Sequence, residues 1–349
     1  MLALARPSVR LWPGRQADPD EVLARNAPFG AHAQLPQPVA GIRTGVAIAS
    51  GGLHCLALLQ DGSVVAWGSN EDGAVGDGTR VDRRTPVKVV GLHRRAVGIA
   101  AGGSHSLALL DDGSVAAWGS NRDGRLGDGT SGRRRLTPVL VGPMPERVIA
   151  VAAGEYHSVA LTQSGTVLTW GCPRSPRPST PRVVDGIAGT VRTVVAARGS
   201  TFAVTDEGAV FAWTMDLRPV VVAGLDEIVH VAAGDHSQLA MRRDGAVWGW
   251  GPNFDGQLAD GTTDKREQPV RSSALPPGVR ALSLGPTSGL AIIGDGSLWE
   301  WGSRQGPTPV AGLEGGVRAI DAGRTAPLVS YQTGARPMDR RRGGILSIR

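Results

Sequence analysis

One short motif recurs along most of the chain, and this repetition constrains the fold more than any other feature. Residues 61–68 read Asp-Gly-Ser-Val-Val-Ala-Trp-Gly, and the pattern returns with few changes at 112–119 and at 164–171. The spacing of roughly 40 to 50 residues is typical of architectures in which each repeat stacks on its neighbours. The tryptophans that mark the motif, which we assign a structural role, are Trp12, Trp67, Trp118, Trp170, Trp213, Trp250 and Trp301.

Each repeat contains four short runs that are typical of β-strands. A proline such as Pro86 opens a valine-rich run, because the first residue of a strand need not donate to the ladder. An apolar run ending in Ala-Gly follows, then a run such as His105-Ser-Leu-Ala-Leu, and finally the run that ends at Trp-Gly. The Asp-Gly pair between the last two runs indicates a tight hairpin. Four antiparallel strands of this kind form one blade of a β-propeller.

The two ends of the chain carry complementary parts of a repeat. The N-terminal copy has a Trp strand near residues 8–12, whereas the C-terminal copy has its middle strands near 317–332 and lacks a Trp strand. Pairing the two ends would remove open sheet edges. We therefore predict an all-β fold, a seven-bladed β-propeller of four-stranded antiparallel blades closed by N- and C-terminal strands in one blade. The predicted domain spans 1–334, and the basic stretch 335–349 is predicted to be a disordered tail.

Composition agrees with a β-fold and excludes several other classes. The chain has 50 glycines in 349 residues, about twice the usual share, which argues against a mainly helical protein. No apolar run is long enough for a transmembrane helix, and two cysteines cannot form a disulfide framework. The first residues lack the pattern of a secretory signal, so we expect a cytoplasmic protein. Because Lys88 and Lys265 are the only lysines among 37 basic residues, the codon usage indicates a GC-rich bacterial source.

Three sequence elements together resemble the regulator-of-chromosome-condensation repeat family. They are Ala-Gly-x-x-His-Ser-x-Ala-Leu, Asp-Gly-x-Val-x-x-Trp-Gly, and the loop Asn70-Glu-Asp-Gly-Ala-Val-Gly-Asp-Gly-Thr79, which recurs at 121–130 and 253–262. The resemblance extends from about residue 8 to residue 334. It implies a seven-bladed propeller that serves mainly as a binding platform, here in a bacterial member of the family.

The sequence contains no recognisable catalytic, metal or cofactor motif. It has no nucleophile elbow, no zinc-binding His-Glu-x-x-His and no phosphate-binding loop. His54, His105 and His157 occupy a repeat position that serine takes elsewhere, so we expect hydrogen bonds within each blade rather than metal binding. The Asp-rich loops lack the late glutamate of a calcium loop and match the needs of turns instead. We predict a protein that is not an enzyme and has no cofactor.

Two groups of residues are candidates for partner binding. The first is an arc of basic residues in matching loops, which suits carboxylate or phosphate groups unless it is only a solvated face. Its members are Arg83, Arg84, Arg133, Arg134, Arg135, Lys265 and Arg266. The second is Phe211, Trp248 and Trp299, which occupy one strand position in three successive blades. These aromatic residues either pack between blades or form a binding patch.

We therefore predict a monomeric, non-enzymatic protein–protein interaction scaffold that uses one propeller face and its loops. The partner is another protein, and an acidic partner surface suits the net charge of +6. Nucleic acid is a less favoured partner because no aromatic residues interleave with the basic ones, and no membrane contact is expected. Three alternatives remain open. They are nucleotide exchange or regulatory binding on a small GTPase, as the resemblance implies, an inhibitor that caps an enzyme such as a β-lactamase, and a small-molecule or catalytic site in the central channel.

Overall fold

The computed structural model describes residues 20–24, 37–39, 42, 44–171, 180–214, 216–323 and 327–332. In chain order, the first two strands are β1 (Asp20–Ala24) and β2 (Gln37–Pro38). Blade 1 comprises β3 (Gly45–Ser50), β4 (His54–Leu59), β5 (Val64–Gly68) and β6 (Arg83–Lys88). Blade 2 comprises β7 (Ala96–Ala101), β8 (His105–Leu110), β9 (Val115–Gly119) and β10 (Arg135–Leu140), with a 3-10 turn at Arg122–Gly124. Blade 3 comprises β11 (Val148–Ala153), β12 (Ser158–Thr162), β13 (Val167–Trp170) and β14 (Arg182–Val183).

The second half of the chain continues the pattern. Blade 4 comprises β15 (Val191–Ala196), β16 (Thr201–Thr205), β17 (Val210–Trp213) and β18 (Val220–Val221). Blade 5 comprises β19 (Ile228–Ala233), β20 (Gln238–Arg242), β21 (Val247–Gly251) and β22 (Arg266–Arg271). Blade 6 comprises β23 (Val279–Leu284), β24 (Ser288–Ile293), β25 (Leu298–Gly302) and β26 (Gln305–Pro309). The last two strands are β27 (Val317–Asp321) and β28 (Leu328–Gln332).

A closing sheet, formed by β1, β2, β27 and β28, joins the two ends of the chain. Its strand order is β2-β1-β28-β27, and β1 pairs with β28 over its whole length, from Asp20↔Gln332 to Ala24↔Leu328. The innermost strand of each sheet contacts that of the next, and β27 returns to contact β3. The sheets therefore form a closed ring around a central channel.

The prediction of a seven-bladed propeller built from seven Trp-strand blades is wrong. Within the described residues the structure has six blades of the repeat type, each formed by one contiguous segment in which the Trp strand is the third strand. The closing sheet takes Asp20–Ala24 as its third strand instead of residues 8–12, and this strand contains no tryptophan. Strand pairing is a backbone property, so a five-residue match with β28 does not require the aromatic residue. Trp12 lies outside the described residues, as does the predicted tail at 335–349.

The prediction that a proline opens the outer strand of each blade is also wrong for the three longest proline-containing strands. Pro86, Pro138 and Pro269 each occupy the fourth position of an outer strand rather than its start. The ladder is irregular there: in blade 1 the register shifts between Ala66 and Gly68. Proline has no backbone N–H, and at the free edge of an outer strand, or in an irregular part of the ladder, no hydrogen bond from that position is needed.

The core lies between the blades, where each Trp strand packs against the preceding blade. Trp118 is fully buried and its Nε1 donates to Ala74 O of blade 1 at 2.8 Å. Trp301 makes the matching bond to Gln257 O of blade 5 at 2.9 Å. In blades 2 and 6 the motif tryptophan therefore fastens its blade to the loop of the preceding one, whereas Trp170 Nε1 of blade 3 is buried without a partner among the described residues.

The ring has two faces. The loop face carries the turns between the first and second strands of the blades, such as 51–53, together with the long loops after the Trp strands, such as 69–82. The hairpin face carries the turns between the second and third strands, such as 60–63. In the described residues, no helix is long and apolar enough to span a membrane.

Candidate partner-binding face

The long loops of blades 1, 2 and 5 are each held by one buried asparagine. In blade 1, Asn70 Oδ1 accepts from Val75 N at 3.0 Å, while Nδ2 donates to Asp77 Oδ1 and Thr79 O, both at 3.1 Å. Asn121 and Asn253 make the equivalent bonds in the other two loops. Since these bonds satisfy the loop from within, the three loops form well-ordered projections on the loop face.

Three of the candidate basic residues serve as fasteners for the same loops. Arg83 Nε donates to Asp77 Oδ2 at 2.6 Å, and Arg135 and Arg266 make the matching bonds to Asp128 and Asp260. Burial alone would raise the pKa of Asp77, but hydrogen bonds from Thr79 and Arg83 outweigh it and hold the pKa below its usual value. These arginines are therefore largely neutralised and do not belong to a free basic arc.

The other members of the basic arc are exposed and lie in two places. Lys265 pairs with Glu267 at 2.6 Å in blade 5. Arg84 and Arg133 have no ion pair among the described residues, and Arg134 lies 3.8 Å from Asp72 of blade 1. The remaining positive charge is concentrated at the rim between blades 1 and 2.

A groove runs across the loop face between blades 1, 2 and 3. Its lining includes Leu53, Arg122 and Tyr156, and the backbone of Gly52 and Gly103 forms part of its floor. Leu53 is 62% exposed and is therefore accessible to a partner. Arg125 is buried beneath the groove, where its Nη1 donates to Glu155 O at 3.0 Å. Its guanidinium carbon lies over the ring of Tyr156, 5.5 Å from the ring centroid. The groove therefore combines a fixed base with exposed apolar and charged side chains.

The central channel opens beside this groove and encloses a cavity of about 220 Å³. Its wall is mostly alanine, glycine and valine, with Asp321 as a carboxylate in the closing sheet. Asp321 Oδ2 accepts from Ser50 N of blade 1 at 2.8 Å. Burial raises the pKa of Asp321 to about 6, against the lowering effect of the backbone bonds from Ser50 and Gly323. At the mouth, Arg198 pairs with Glu155 at 3.0 Å.

The three repeat histidines link neighbouring blades rather than residues of one blade. His54 Nε2 lies 2.8 Å from Ser106 Oγ of blade 2, and Ser106 Oγ donates to Ala74 O. Because the hydroxyl proton is already used, the ring nitrogen is the donor to Ser106. His105 and His157 make the same contact with Ser158 and Thr201. The expectation of bonds inside each blade is corrected accordingly, since the ring is long enough to reach the next blade.

Burial keeps these histidines neutral. It lowers the pKa of His54 to about 4 and, with Arg125 as a smaller cause, that of His157 to about 4. It lowers the pKa of His105 well below the usual value for the same principal reason. Among the residues that the structure describes, no group of three His, Cys, Asp or Glu side chains could hold a metal ion.

The aromatic candidates are divided by their exposure. Phe211 is buried in a cluster shared with Trp213, so it does not belong to a partner surface. Trp248 and Trp299 are half-buried. The guanidinium carbon of Arg242 lies 5.5 Å from the centroid of the Trp248 ring, and Trp299 packs against the core between blades 5 and 6. Both lie close to the hairpin turns, away from the groove. The structure therefore does not unite these residues with the basic arc.

Sequence reasoning did not select Leu53, Tyr156 or Arg125 as site residues. The available signal was position: Leu53 and Tyr156 directly precede the repeat histidines, where the turn from the first strand to the second reaches the loop face. Such turns surround the channel mouth in every blade, so a large side chain at this position projects toward any ligand above the ring.

The fold and its repeating motif define a β-propeller of a known class. The model of the regulator of chromosome condensation (RCC1) repeat matches residues 61–109, 112–161 and 244–292, and a second model of the same repeat matches 46–74, 96–125 and 148–175. The chain is 30% identical to the Regulator of chromosome condensation of Mus musculus over 300 residues, which are 72% of this chain and 70% of that protein. The chain belongs to the regulator-of-chromosome-condensation repeat family.

Other relatives show how the same repeat is used in different contexts. The E3 ubiquitin-protein ligase HERC2 of Mus musculus is 35% identical over 259 residues, 66% of this chain, but the chain spans only 5% of that ligase. The crystal structure of Prp20p from Saccharomyces cerevisiae shares the fold, with a TM-score of 0.77, 19% identity and coverage of 95% of this chain and 94% of that one. These relatives are eukaryotic, so a bacterial source and a cytoplasmic location stay predictions.

Proposed function

We propose that this propeller is a non-enzymatic binding protein that docks a partner protein on its loop face. The observation that carries the proposal is the groove between blades 1, 2 and 3, where exposed Leu53 stands beside Tyr156 and Arg122 over a fixed base. Leucine is under-represented among the residues that contribute most to the binding energy of protein interfaces, but tyrosine and arginine are enriched there, and the groove presents both beside Leu53. Binding sites are commonly formed by loops on a rigid scaffold, which describes this face.

A pair of matched variants tests the location of the docking site. Leu53→Asp places a charge in the groove, whereas Val220→Asp places one at an equally exposed valine on the outer strand of blade 4. Both side chains are exposed, so neither substitution should cost much stability. Tagged wild-type, Leu53→Asp and Val220→Asp proteins would be incubated with lysate of the source organism, and bound proteins quantified by mass spectrometry.

We expect a discrete protein that wild-type and Val220→Asp retain equally and that Leu53→Asp loses by at least about tenfold, which corresponds to about 1.4 kcal/mol of binding free energy. Equal retention by all three proteins would place the docking site elsewhere and remove the groove from the proposal.

The second candidate is regulation of a small GTPase, which family membership favours. Prp20p from Saccharomyces cerevisiae is known for its binding to Gsp1p and histones. In this chain the partner would contact the loop face, where the groove and the channel mouth adjoin. The assay is release of a fluorescent guanine nucleotide from small GTPases of the source organism, with catalytic amounts of wild-type or Leu53→Asp protein.

Acceleration by wild-type protein and its loss in Leu53→Asp would support an exchange or regulatory role. Binding to a GTPase without any change in nucleotide release would favour the scaffold over the exchange factor.

A further inference from the structure

Two arginines from neighbouring blades converge on a single backbone oxygen at the rim of the loop face. Arg80 Nε, from the loop of blade 1, donates to Glu71 O at 2.9 Å. Arg134 Nη1, from the loop of blade 2, donates to the same oxygen, also at 2.9 Å. Both side chains are exposed, and neither guanidinium uses more than a fraction of its five donors in these bonds. The geometry brings two like charges together, and within the part of the chain that the structure describes their one ion pair is the 3.8 Å contact of Arg134 with Asp72.

The surrounding charges do not neutralise this pair. The two nearly buried carboxylates of these loops, Asp77 and Asp128, pair with Arg83 and Arg135. In the loops of blades 1 and 2, the cations outside those fasteners are Arg80, Arg122, Arg125, Arg133 and Arg134, and the carboxylates outside them are Glu71, Asp72, Asp82 and Asp123. Arg84, at the start of β6, adds a further exposed positive charge. Among the described carboxylates, only that of Asp72 lies within 4 Å of either arginine, at 3.8 Å from Arg134 Nε. The rim therefore keeps an excess of positive charge.

Both loops are fixed before any ligand arrives. Asn70 and Asn121 hold the turns that carry Glu71 and Arg122, and both asparagines are fully or almost fully buried. The carbonyl that the two arginines share is therefore part of a rigid turn. A pre-formed site loses less conformational entropy on binding than a mobile one.

The number of guanidinium groups indicates the chemistry of the ligand. One planar fork is sufficient for one carboxylate, whereas the three terminal oxygens of a phosphate monoester dianion can accept from two forks at once. We propose that Arg80 and Arg134 form a site for a doubly charged tetrahedral oxyanion of the phosphate monoester class. This inference does not depend on the proposed docking groove. The oxyanion can be free in solution or be carried on a side chain of a partner, and the chemistry recognised is the same.

The test is a calorimetric titration at low ionic strength with inorganic phosphate, phosphoserine and glutamate as probes. Three double variants are compared with wild-type protein. Arg80→Gln with Arg134→Gln removes both charges, and Arg80→Lys with Arg134→Lys keeps the charges but removes the forks. Arg243→Gln with Arg280→Gln is the control, because it removes two exposed arginines from the hairpin side of blades 5 and 6.

We expect binding of phosphate or phosphoserine to weaken by at least about tenfold in the Gln variant and by several-fold in the Lys variant, with little change in the control. Glutamate should bind weakly to all four proteins. Tighter binding of phosphoserine than of inorganic phosphate would identify a side-chain phosphoryl group as the source, and equal binding would identify the free ion. Thermal unfolding of each variant verifies that the fold is kept.

Two outcomes would overturn the proposal. Equal weakening in the Gln variant and in the hairpin-face control would show that only total charge matters. Full affinity in the Gln variant, or undetectable binding of both phosphate probes to wild-type protein, would show that the convergence of the two arginines creates no site.

Discussion

The two halves of the ring use the same repeat position in different ways. In blades 1–3, which we call the histidine half, each repeat histidine reaches a hydroxyl of the next blade at 2.8 or 2.9 Å. In blades 4–6, the serine half, the position is Ser200, Ser237 or Ser288, and Ser237 Oγ donates to Pro252 O of its own blade. In blade 5 the serine at this position therefore makes its hydrogen bond within the blade, because its side chain is too short to reach the next blade.

Backbone bonds reinforce the junctions of the histidine half. Gly52 N donates to Gly102 O at 3.0 Å, and Gly103 N donates to Gly154 O at 3.1 Å. The glycine turn and the histidine ring are in close contact, since a Cβ at Gly102 would lie 2.3 Å from His105 Cε1. The glycine and the histidine of the Gly-x-x-His motif thus pack as one unit. We therefore expect acidification, or substitution of these glycines, to lower the stability of this half more than that of the serine half.

The largest expected effect is a loss of stability of the histidine half in acid. The folded-state pKa values of His54 and His157 are lowered from 6.5 to about 4, so their contribution is full above pH 6.5 and is lost as the pH falls toward 4. A shift of this size corresponds to about 3 kcal/mol for each ring. Denaturant unfolding between about pH 7 and about pH 4 measures the loss, and hydrogen exchange locates it.

The matched variants for this prediction are His157→Ser and Ser237→Ala. His157→Ser should reduce the pH dependence of the free energy of unfolding by about 3 kcal/mol, whereas Ser237→Ala should leave it unchanged. Amide exchange in acid should begin in blades 1–3. A uniform onset of exchange around the ring would contradict the comparison between the two halves.

The second prediction concerns the glycine at the centre of a histidine junction. Gly102→Ala would place a Cβ against His105 and 2.5 Å from Gly154 O, so we expect a loss of about 3 kcal/mol from overpacking. Gly129→Ala is the control: no atom lies within 4 Å of its Cβ, and its positive φ of 79° costs about 1 kcal/mol. Equal destabilisation by the two substitutions would show that the close contact with the histidine ring is not what requires glycine.

Much of this architecture could be read from the sequence, because the repeat specifies the strand order of a blade. The Asp-Gly hairpins and the Trp strands follow from residue types with strong local preferences, whereas the histidine bonds were predicted within a blade and lie between blades. The closing strand could not be found in this way, since Asp20–Ala24 pairs through its backbone and lacks the motif. The basic arc was misleading for a related reason: a sequence lists charges, but only the structure shows that Arg83 and Arg135 are already paired within their loops.

The third prediction concerns the junction that closes the ring, where the carboxylate of Asp321 accepts a hydrogen bond from Ser50 N of blade 1. Burial raises the pKa of Asp321 from 3.8 to about 6, so the protonated form stabilises the fold below pH 3.8, and this contribution is lost as the pH rises through 6. Because the side chain retains some access to the channel, we expect about 1–2 kcal/mol. Asp321→Asn should remove this dependence, measured as denaturant unfolding at several pH values. An unchanged profile in the variant would show that Asp321 does not titrate at the junction.

The smallest expected effect on stability distinguishes an arginine that fastens a loop, in blade 2, from an arginine without an ion pair among the described residues, in blade 1. Arg135→Gln removes the partner of nearly buried Asp128, while Arg84→Gln removes an exposed cation with no ion pair among the described residues. Hydrogen bonds from Thr130 and Arg135 outweigh the burial of Asp128 and keep its pKa low, so the variant leaves a poorly solvated carboxylate behind. Because Arg135 is one-third exposed, we expect a loss of only about 1 kcal/mol, against no measurable change for Arg84→Gln. Thermal unfolding of the two variants measures the difference, which should shrink in salt. If Arg84→Gln destabilised the protein as much as Arg135→Gln, the division of the basic residues into loop fasteners and free rim charges would fail.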